Sequence, residues 1–248
     1  MYRARIIPCL LISGNGLVKT RKFKDPVYIG DPVNAMRIFS EKEVDEIVVL
    51  DIDASRQHQE PNYELIAEMA GEAFMPLAYG GGIRTLDQVR KLIRSGIEKV
   101  VINTAATEST DLIRAVADIY GNQAVVGAVD VKKTLFGGYR IVTKSATVDT
   151  GLDLYAHIQQ LIAAGVGEIF INSVDRDGMM EGYEIPLIRS VTQKVNVPVV
   201  ACGGAGTVEH LSRGVNEGGA SAVAAGSMFV FYGKHRAVLI NYPKNVNL

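Results

Sequence analysis

A carboxylate that closes an apolar run is the first residue here with a chemical claim. Asp130 ends "VVGAVD" (125–130), and an acid at the C-terminal end of a buried barrel strand serves chemistry more often than stability. Asp51 ends a similar run, "IVVLD", with Asp53 as a rival for the same pocket. Two glycine clusters, Gly80-Gly81-Gly82 and Gly203-Gly204-Ala205-Gly206, stand at other run ends. Each is followed one run later by small or polar residues, Asn103-Thr104 and Ala225-Gly226-Ser227. Bare backbone N–H groups beside a helix N-terminus bind phosphate. Two such clusters predict a ligand with phosphate at both ends. The plainer alternative is that the glycines only make tight turns.

Other chemistry finds less support. Asp175-Arg176-Asp177-Gly178 superficially resembles the start of a calcium loop, but the twelfth position is Pro186, where a bidentate Glu is needed. It reads as the loop after a sixth strand, with Asp177 as a substrate contact. The histidines, at 58, 157, 210 and 235, have no ligand spacing, so no metal and no cofactor is expected. No Ser/His/Asp or Cys/His arrangement stands out. Cys9 and Cys202 sit in apolar runs and read as buried free thiols of a cytoplasmic protein.

The segment "PCLLISGNG" (8–16) has the same shape as the stretch around Asp130. If the two are counterparts, Leu11 faces Asp130. Arg5, Glu46, Lys99 and Glu168 each sit where an apolar run begins. Arg5 shares parity with Leu11, Lys99 with Asn103, and Glu168 with Asn172, so the charges point where the candidate site points. Charges inside a packed barrel are expensive unless paired. Two acids and two bases could close a neutral ring; solvated strand-start charges are the other reading.

Eight apolar runs must position these residues: 5–11, 47–52, 76–79, 99–103, 124–130, 168–173, 197–202 and 221–225. Amphipathic segments such as "LDQVRKLIRSG" separate them. This alternation predicts an α/β fold, a (β/α)8 barrel of one domain over 1–248. An internal repeat supports it. "PLAYGGGIRTLDQVRKLIRSGIEKVVINTA" (76–105) aligns with "PVVACGGAGTVEHLSRGVNEGGASAVAAGS" (198–227) at a constant offset of 203 − 81 = 122. The offset also pairs Asp31 with Asp153 and Glu46 with Glu168. Two duplicated half-barrels, about 1–120 and 121–248, are expected.

The 248 residues are 48% hydrophobic, and 26 Lys plus Arg balance 27 Asp plus Glu. That balance gives no reason to expect nucleic acid or an anionic membrane as partner. "MYRARIIPCLL" reads as a first strand rather than a signal peptide. No window reaches the roughly 18 apolar residues of a membrane helix.

Together, "GDPVNA", "VVLDIDAS", "YGGGIRT", "INTAA", "VDRDG" and "ACGGAG" resemble the cyclase subunit of imidazole glycerol phosphate synthase, across nearly the whole chain. The resemblance implies a (β/α)8 barrel from duplicated halves and the synthase half of a two-protein glutamine amidotransferase. A partner glutaminase would dock at the N-terminal face of the barrel. Ammonia would pass a ring of Arg5, Glu46, Lys99 and Glu168 and react at the top with a phosphorylated small molecule. Lys19 would belong to a mobile closing element over 16–30. Gly82, Asn103, Thr104, Gly203, Gly204, Ala225 and Gly226 would hold phosphate, with Asp51, Asn172 and Asp177 as further substrate contacts. Asp130 matches the family's second catalytic aspartate.

The departure is Leu11, which occupies the position of the family's first catalytic aspartate. Leucine cannot exchange a proton, and catalytic groups that act as a unit fail together. Cys202 and Asn172 also replace small hydroxyl residues. The pattern resembles a divergent paralogue group found beside surface-polysaccharide genes, which implies acetamidino-sugar formation with a third, ATP-using amidotransferase. Three alternatives stand beside it: the authentic lyase of histidine biosynthesis, the related sugar isomerase, and a silent phosphate-binding scaffold. The isomerase fits least, since it wants two opposed acids and no charged gate.

Overall fold

The computed structural model describes residues 3–233, 235–243, 246 and 248. Eight strands form a closed parallel barrel: β1 (Arg5–Ser13), β2 (Ile47–Asp51), β3 (Leu77–Gly80), β4 (Lys99–Ile102), β5 (Val125–Lys133), β6 (Glu168–Ser173), β7 (Val199–Cys202) and β8 (Ala222–Ala225). Each pairs with its sequence neighbours, and β1 closes the circle on β8 with Arg5 opposite Ala222 and Pro8 opposite Ala225. Strand positions match the eight apolar runs to within a few residues, as the expected (β/α)8 architecture requires.

Side-chain alternation sorts the strands into two cores. Ile7, Val48, Ala78, Val101, Val126, Phe170, Val200 and Ala222 fill the barrel interior. Ile6, Val49, Tyr79, Val100, Val129, Ile171 and Val223 face outward into the layer beneath the helices. Burial on both faces explains why these strands read as continuous apolar runs.

The principal helices are α1 (Pro32–Glu41), α2 (Tyr63–Gly71), α3 (Leu86–Arg94), α4 (Asp111–Tyr120), α5 (Leu154–Ala164), α6 (Ile185–Thr192), α7 (Val208–Asn216) and a single turn α8 (Ser227–Val230), with further short helices at Ala54–Gln57 and Thr104–Glu108. The repeat positions turn out to be caps. Asp31 accepts from the Asn34 amide at the start of α1, and Asp153 accepts from the Tyr155 and Ala156 amides at the start of α5. Thr85 caps α3 in a capping box with Gln88, and Thr207 caps α7. Each pair lies 122 positions apart, so the repeated residues carry repeated local geometry.

Two excursions interrupt the alternation. After β1 the chain forms a hairpin, Gly16–Arg21 with Lys24–Gly30. After β5 it continues into Tyr139–Thr143, paired antiparallel with β5. Both rise from the C-terminal end of the barrel. The segment 16–30, expected as a closing loop, is a hairpin with its own ladder, whose register shifts between Leu17 and Val18 and between Lys19 and Arg21. Among the described residues no helix is long and apolar enough to cross a membrane.

Candidate functional site at the C-terminal face

A cavity of about 130 Å³ opens at the C-terminal ends of the barrel strands. Its lining includes Leu11, Asp51, Gly82, Asn103, Thr104, Asp130, Asn172 and Asp177, so most of the residues predicted for catalysis and substrate binding share one space. Leu11 and Asp130 enter it from β1 and β5. Asp53 does not line it: its carboxylate accepts from Ser13 and pairs with Arg56. Asp51 therefore holds the cavity without its expected rival, and its Oδ1 accepts the Asp53 and Ala54 amides.

Asp130 is gripped by two carboxamides. Asn103 donates to Oδ2 at 2.8 Å and Asn172 to Oδ1 at 3.3 Å. Burial pushes the Asp130 carboxyl up to about 7, against the pull of those two bonds. It can therefore carry or release a proton near neutrality, as acid–base work requires. Burial also raises Asp51 and Asp177.

The two glycine clusters lie in separate spaces. Gly80, Gly81 and Gly82 line the large cavity with Thr104. Gly203, Gly204, Ala225 and Gly226 line a smaller cavity of about 20 Å³, together with Lys19, Cys9, Cys202 and Leu11. Gly82 has φ +70, and a side chain there would meet the Gln59 carbonyl oxygen at 2.6 Å. Gly203 has φ +88, and a Cβ there would lie 2.6 Å from Asn172 Oδ1. Only glycine satisfies both backbone and space at these positions.

Lys19 sits at the edge of the hairpin that folds over the mouth. Its side chain is buried, its Nζ donates to the Cys9 carbonyl at 2.6 Å, and it points at Gly226. The hairpin is pinned to the loop after β6: Thr20 Oγ1 donates to Asp177 at 2.9 Å and the Lys22 amide to the Asp177 carbonyl at 2.9 Å. Lys19 thus sits in the second cradle rather than the cavity that holds Asp130.

Sequence reading missed a flap. Lys144, Ser145 and Ala146 are consecutive left-handed residues, at φ 51, 56 and 61. Lys144 and Ser145 line the large cavity, and Ser145 Oγ donates to the Ile52 carbonyl at 2.7 Å. Three such residues in a row carry strain that the surrounding contacts must hold. "TKSATV" has no glycine to announce the turn.

At the opposite end of the barrel, four charges meet. Arg5 pairs with both Glu46 and Glu168, and Lys99 pairs with Glu46 at 2.8 Å and Glu168 at 3.6 Å. Burial opposes the Arg5 charge, yet Glu168 and Glu46 more than offset it and its pKa rises. Every acid touches both bases, so the ring is closed and neutral. Between ring and cavity, the interior is apolar and Phe170, 2% exposed, forms part of the cavity floor.

A family model described as "Histidine biosynthesis protein" matches residues 5–236. The chain belongs to that family. Within the family it is similar to a Pseudomonas aeruginosa protein provisionally named imidazole glycerol phosphate synthase subunit hisF2, at 56% identity over 98% of this chain and 97% of the relative. It is 47% identical to a Leptospira borgpetersenii protein provisionally named subunit HisF of the same enzyme, over 100% of this chain and 98% of the relative. A Vibrio vulnificus relative, provisionally named subunit hisF3, is 45% identical over 98% of this chain and 94% of its own length.

Proposed function

We propose that the chain is the ammonia-accepting synthase subunit of a two-protein glutamine amidotransferase, of the imidazole glycerol phosphate synthase cyclase type, in which the acceptor chemistry has diverged. The relatives' names support the cyclase-type assignment. The observation that carries the divergence is that Leu11, from β1, shares one cavity with Asp130, from the opposite strand β5. Cyclisation with elimination needs proton transfer on both sides of the reacting centre. Asp130 supplies one group; Leu11 supplies none.

Other features favour retained ammonia delivery and retained phosphate recognition. The closed ring of Arg5, Glu46, Lys99 and Glu168 gives a glutaminase at the N-terminal face a defined entrance. A purely apolar interior passes neutral ammonia and rejects ammonium, since an unpaired charge there is too costly. The two glycine cradles suit a ligand with phosphate at each end, with Gly82, Asn103 and Thr104 at one and Gly203, Gly204, Ala225 and Gly226 at the other. Lys19 adds a cation to the second. The product in this reading is an acetamidino sugar for surface polysaccharide, made with a third, ATP-using amidotransferase.

The test is ammonia-dependent consumption of the histidine-pathway bisphosphate nucleotide by wild type and Leu11→Asp, side by side. Silence in wild type and turnover in Leu11→Asp support the reading. Wild-type turnover at roughly 1 per second or more overturns it in favour of the histidine-pathway lyase, which the retained Asp130 and Lys19 favour. Gel filtration with a glutaminase tests the docking that both readings require; a silent scaffold, which binds a phosphorylated ligand and a partner, transfers no ammonia in any reconstituted mixture.

A further inference from the structure

The segment "AFMP" (73–76), between α2 and β3, takes no part in the chemistry above. It runs along the N-terminal end of the barrel, beside the charged ring. The Pro76 carbonyl accepts from the Ile47 amide at 3.0 Å, and Ile47 follows Glu46 of the ring. Ala78, two residues on, stands opposite Lys99 of the ring across the β3–β4 ladder. Phe74 comes two residues before the Pro76 contact, and it is 91% exposed.

A lone apolar side chain on a surface is ordinary. Phe74 is set apart by how firmly it is held there. Its amide donates to Ser40 Oγ, near the end of α1, at 2.9 Å, and Ser40 Oγ donates to Met75 Sδ at 3.4 Å. The Ala73 amide donates to the Ala70 carbonyl at 3.2 Å. Glu72 accepts from Arg37 Nε at 3.0 Å and Nη2 at 2.8 Å, again from α1. These bonds fix the backbone around Phe74 while its phenyl group stays in water. A phenyl group has only two side-chain torsions, so little freedom is lost when a partner covers it. The surroundings specify the cover. Ala73 and Met75 extend the apolar surface on either side, each partly exposed. The turn Glu41-Lys42-Glu43, next to Ser40, is net negative, and both acids are exposed. Such an anchor fills an apolar pocket, and the acids beside it favour a basic rim.

We propose that Phe74 is the anchor by which the N-terminal face seats its glutaminase, entering an apolar pocket of that partner whose rim is basic. This rests on the reading above, in which a glutaminase delivers ammonia through the charged ring. That reading needs a partner pressed closely over the ring, because ammonia that meets bulk water there is lost. A rigid aromatic beside the entrance, buried by the partner, seals that edge and carries an outsized share of the affinity.

The experiment uses the full chain and a purified glutaminase subunit of the imidazole glycerol phosphate synthase type. Titration calorimetry reads the affinity and gel filtration the size of the complex. Phe74→Ser is expected to weaken the complex at least about tenfold. Phe74→Leu, which keeps an apolar side chain, is expected to lose less. Phe136→Ser, on the fully exposed turn after β5 at the opposite end of the barrel, is expected to change nothing. All three are expected to melt within about 2 °C of wild type, because the replaced side chains are exposed. A wild-type complex that Phe74→Ser leaves equally tight, or that Phe136→Ser weakens as much, overturns the proposal and leaves the ammonia-delivery reading standing. Absence of any complex with wild type overturns both. A wild-type dimer that Phe74→Ser turns into a monomer, with glutaminase affinity unchanged, overturns the proposal in favour of a second copy of this chain.

Discussion

Asn103 Nδ2 donates to Asp130 Oδ2 at 2.8 Å, tying the residue after β4 to the carboxyl of β5. Asn172 holds the other oxygen from β6. Three adjacent strands thus fix one carboxyl in place. Asn103 follows the first glycine cluster by one strand, so in the proposed function a ligand whose phosphate lies at that cluster sits beside Asp130.

The titration of Asp130 gives a prediction with a definite sign. Its folded pKa is about 7 against an ordinary 3.8, with burial as the cause. The folded state therefore binds more protons than the unfolded state between those values, and stability falls as pH rises through that window. Asp130→Asn removes this group's contribution. Relative to wild type, the variant is expected to gain thermal stability on moving from pH 5 to pH 8. Taking the difference between the two pH values cancels the pH-independent cost of an altered bond to Asn103 or Asn172. Melting curves of both proteins at both pH values measure it, and equal offsets at the two values would refute it.

The ring predicts non-additivity. Glu46 is 2% exposed and touches both Arg5 and Lys99. Glu46→Gln leaves two cations with Glu168 alone, at a cost of roughly 3–5 kcal/mol for breaking a buried pair. Removing a cation and an anion together, as in Glu46→Gln with Lys99→Met, restores neutrality. The double variant is expected to be more stable than Glu46→Gln alone. Urea unfolding of the three proteins checks this, and costs that simply add would show that the charges are solvated.

Two glycines of the second cradle are expected to respond differently to alanine. Gly204 has φ +115, and a Cβ there would run into the Gly182 carbonyl oxygen, which is backbone and cannot step aside. Gly204→Ala is expected to cost roughly 1–3 kcal/mol from overpacking alone, measured by chemical denaturation. At Gly226 the φ is ordinary and the first atom met is Lys19 Nζ, the free end of a long chain. Gly226→Ala is expected to displace Lys19 with a smaller loss of stability. Equal losses would mean that Lys19 is locked in place or that the Cys9 carbonyl oxygen, 2.9 Å from the same Cβ, does not yield.

How much of this was legible in the sequence follows from the range of each interaction. The eight strands were readable because burial on both faces makes each an apolar run. The sequence showed the caps only as repeat positions, although Asp31, Thr85, Asp153 and Thr207 act within three residues of themselves. The ring was readable as parity, since Arg5, Glu46, Lys99 and Glu168 all precede inward-facing positions. The hairpin at 16–30 was not, because "GLVKTRKFKDPVYIG" mixes Lys, Asp and Pro into two short strands, the first buried with its Lys19 and Thr20 and the second largely exposed. Nor was the shared cavity wall of Cys9 and Cys202, which are 193 residues apart and brought together only by barrel closure. The grip on Asp130 needed strand register: Asn172 stands directly opposite it across the β5–β6 ladder.

Phe170 yields the last prediction, because it stands between the ring and the cavity. It lies on β6 two residues above Glu168 and two below Asn172, facing inward, and it is 2% exposed. Its neighbours in the interior, Val126, Ala128 and Val200 among them, are small. Phe170→Ala is expected to cost about 3–5 kcal/mol through the void it leaves. Phe170→Leu keeps most of the volume and is expected to cost less than the alanine variant. In the proposed function the same void shortens the apolar barrier between the two ends of the barrel. In complex with a glutaminase, Phe170→Ala is therefore expected to release more ammonia to solvent per glutamine hydrolysed than Phe170→Leu does. A glutamate dehydrogenase-coupled assay reads that ratio. An unchanged ratio with an intact complex would show that Phe170 packs the barrel without standing in the path of ammonia.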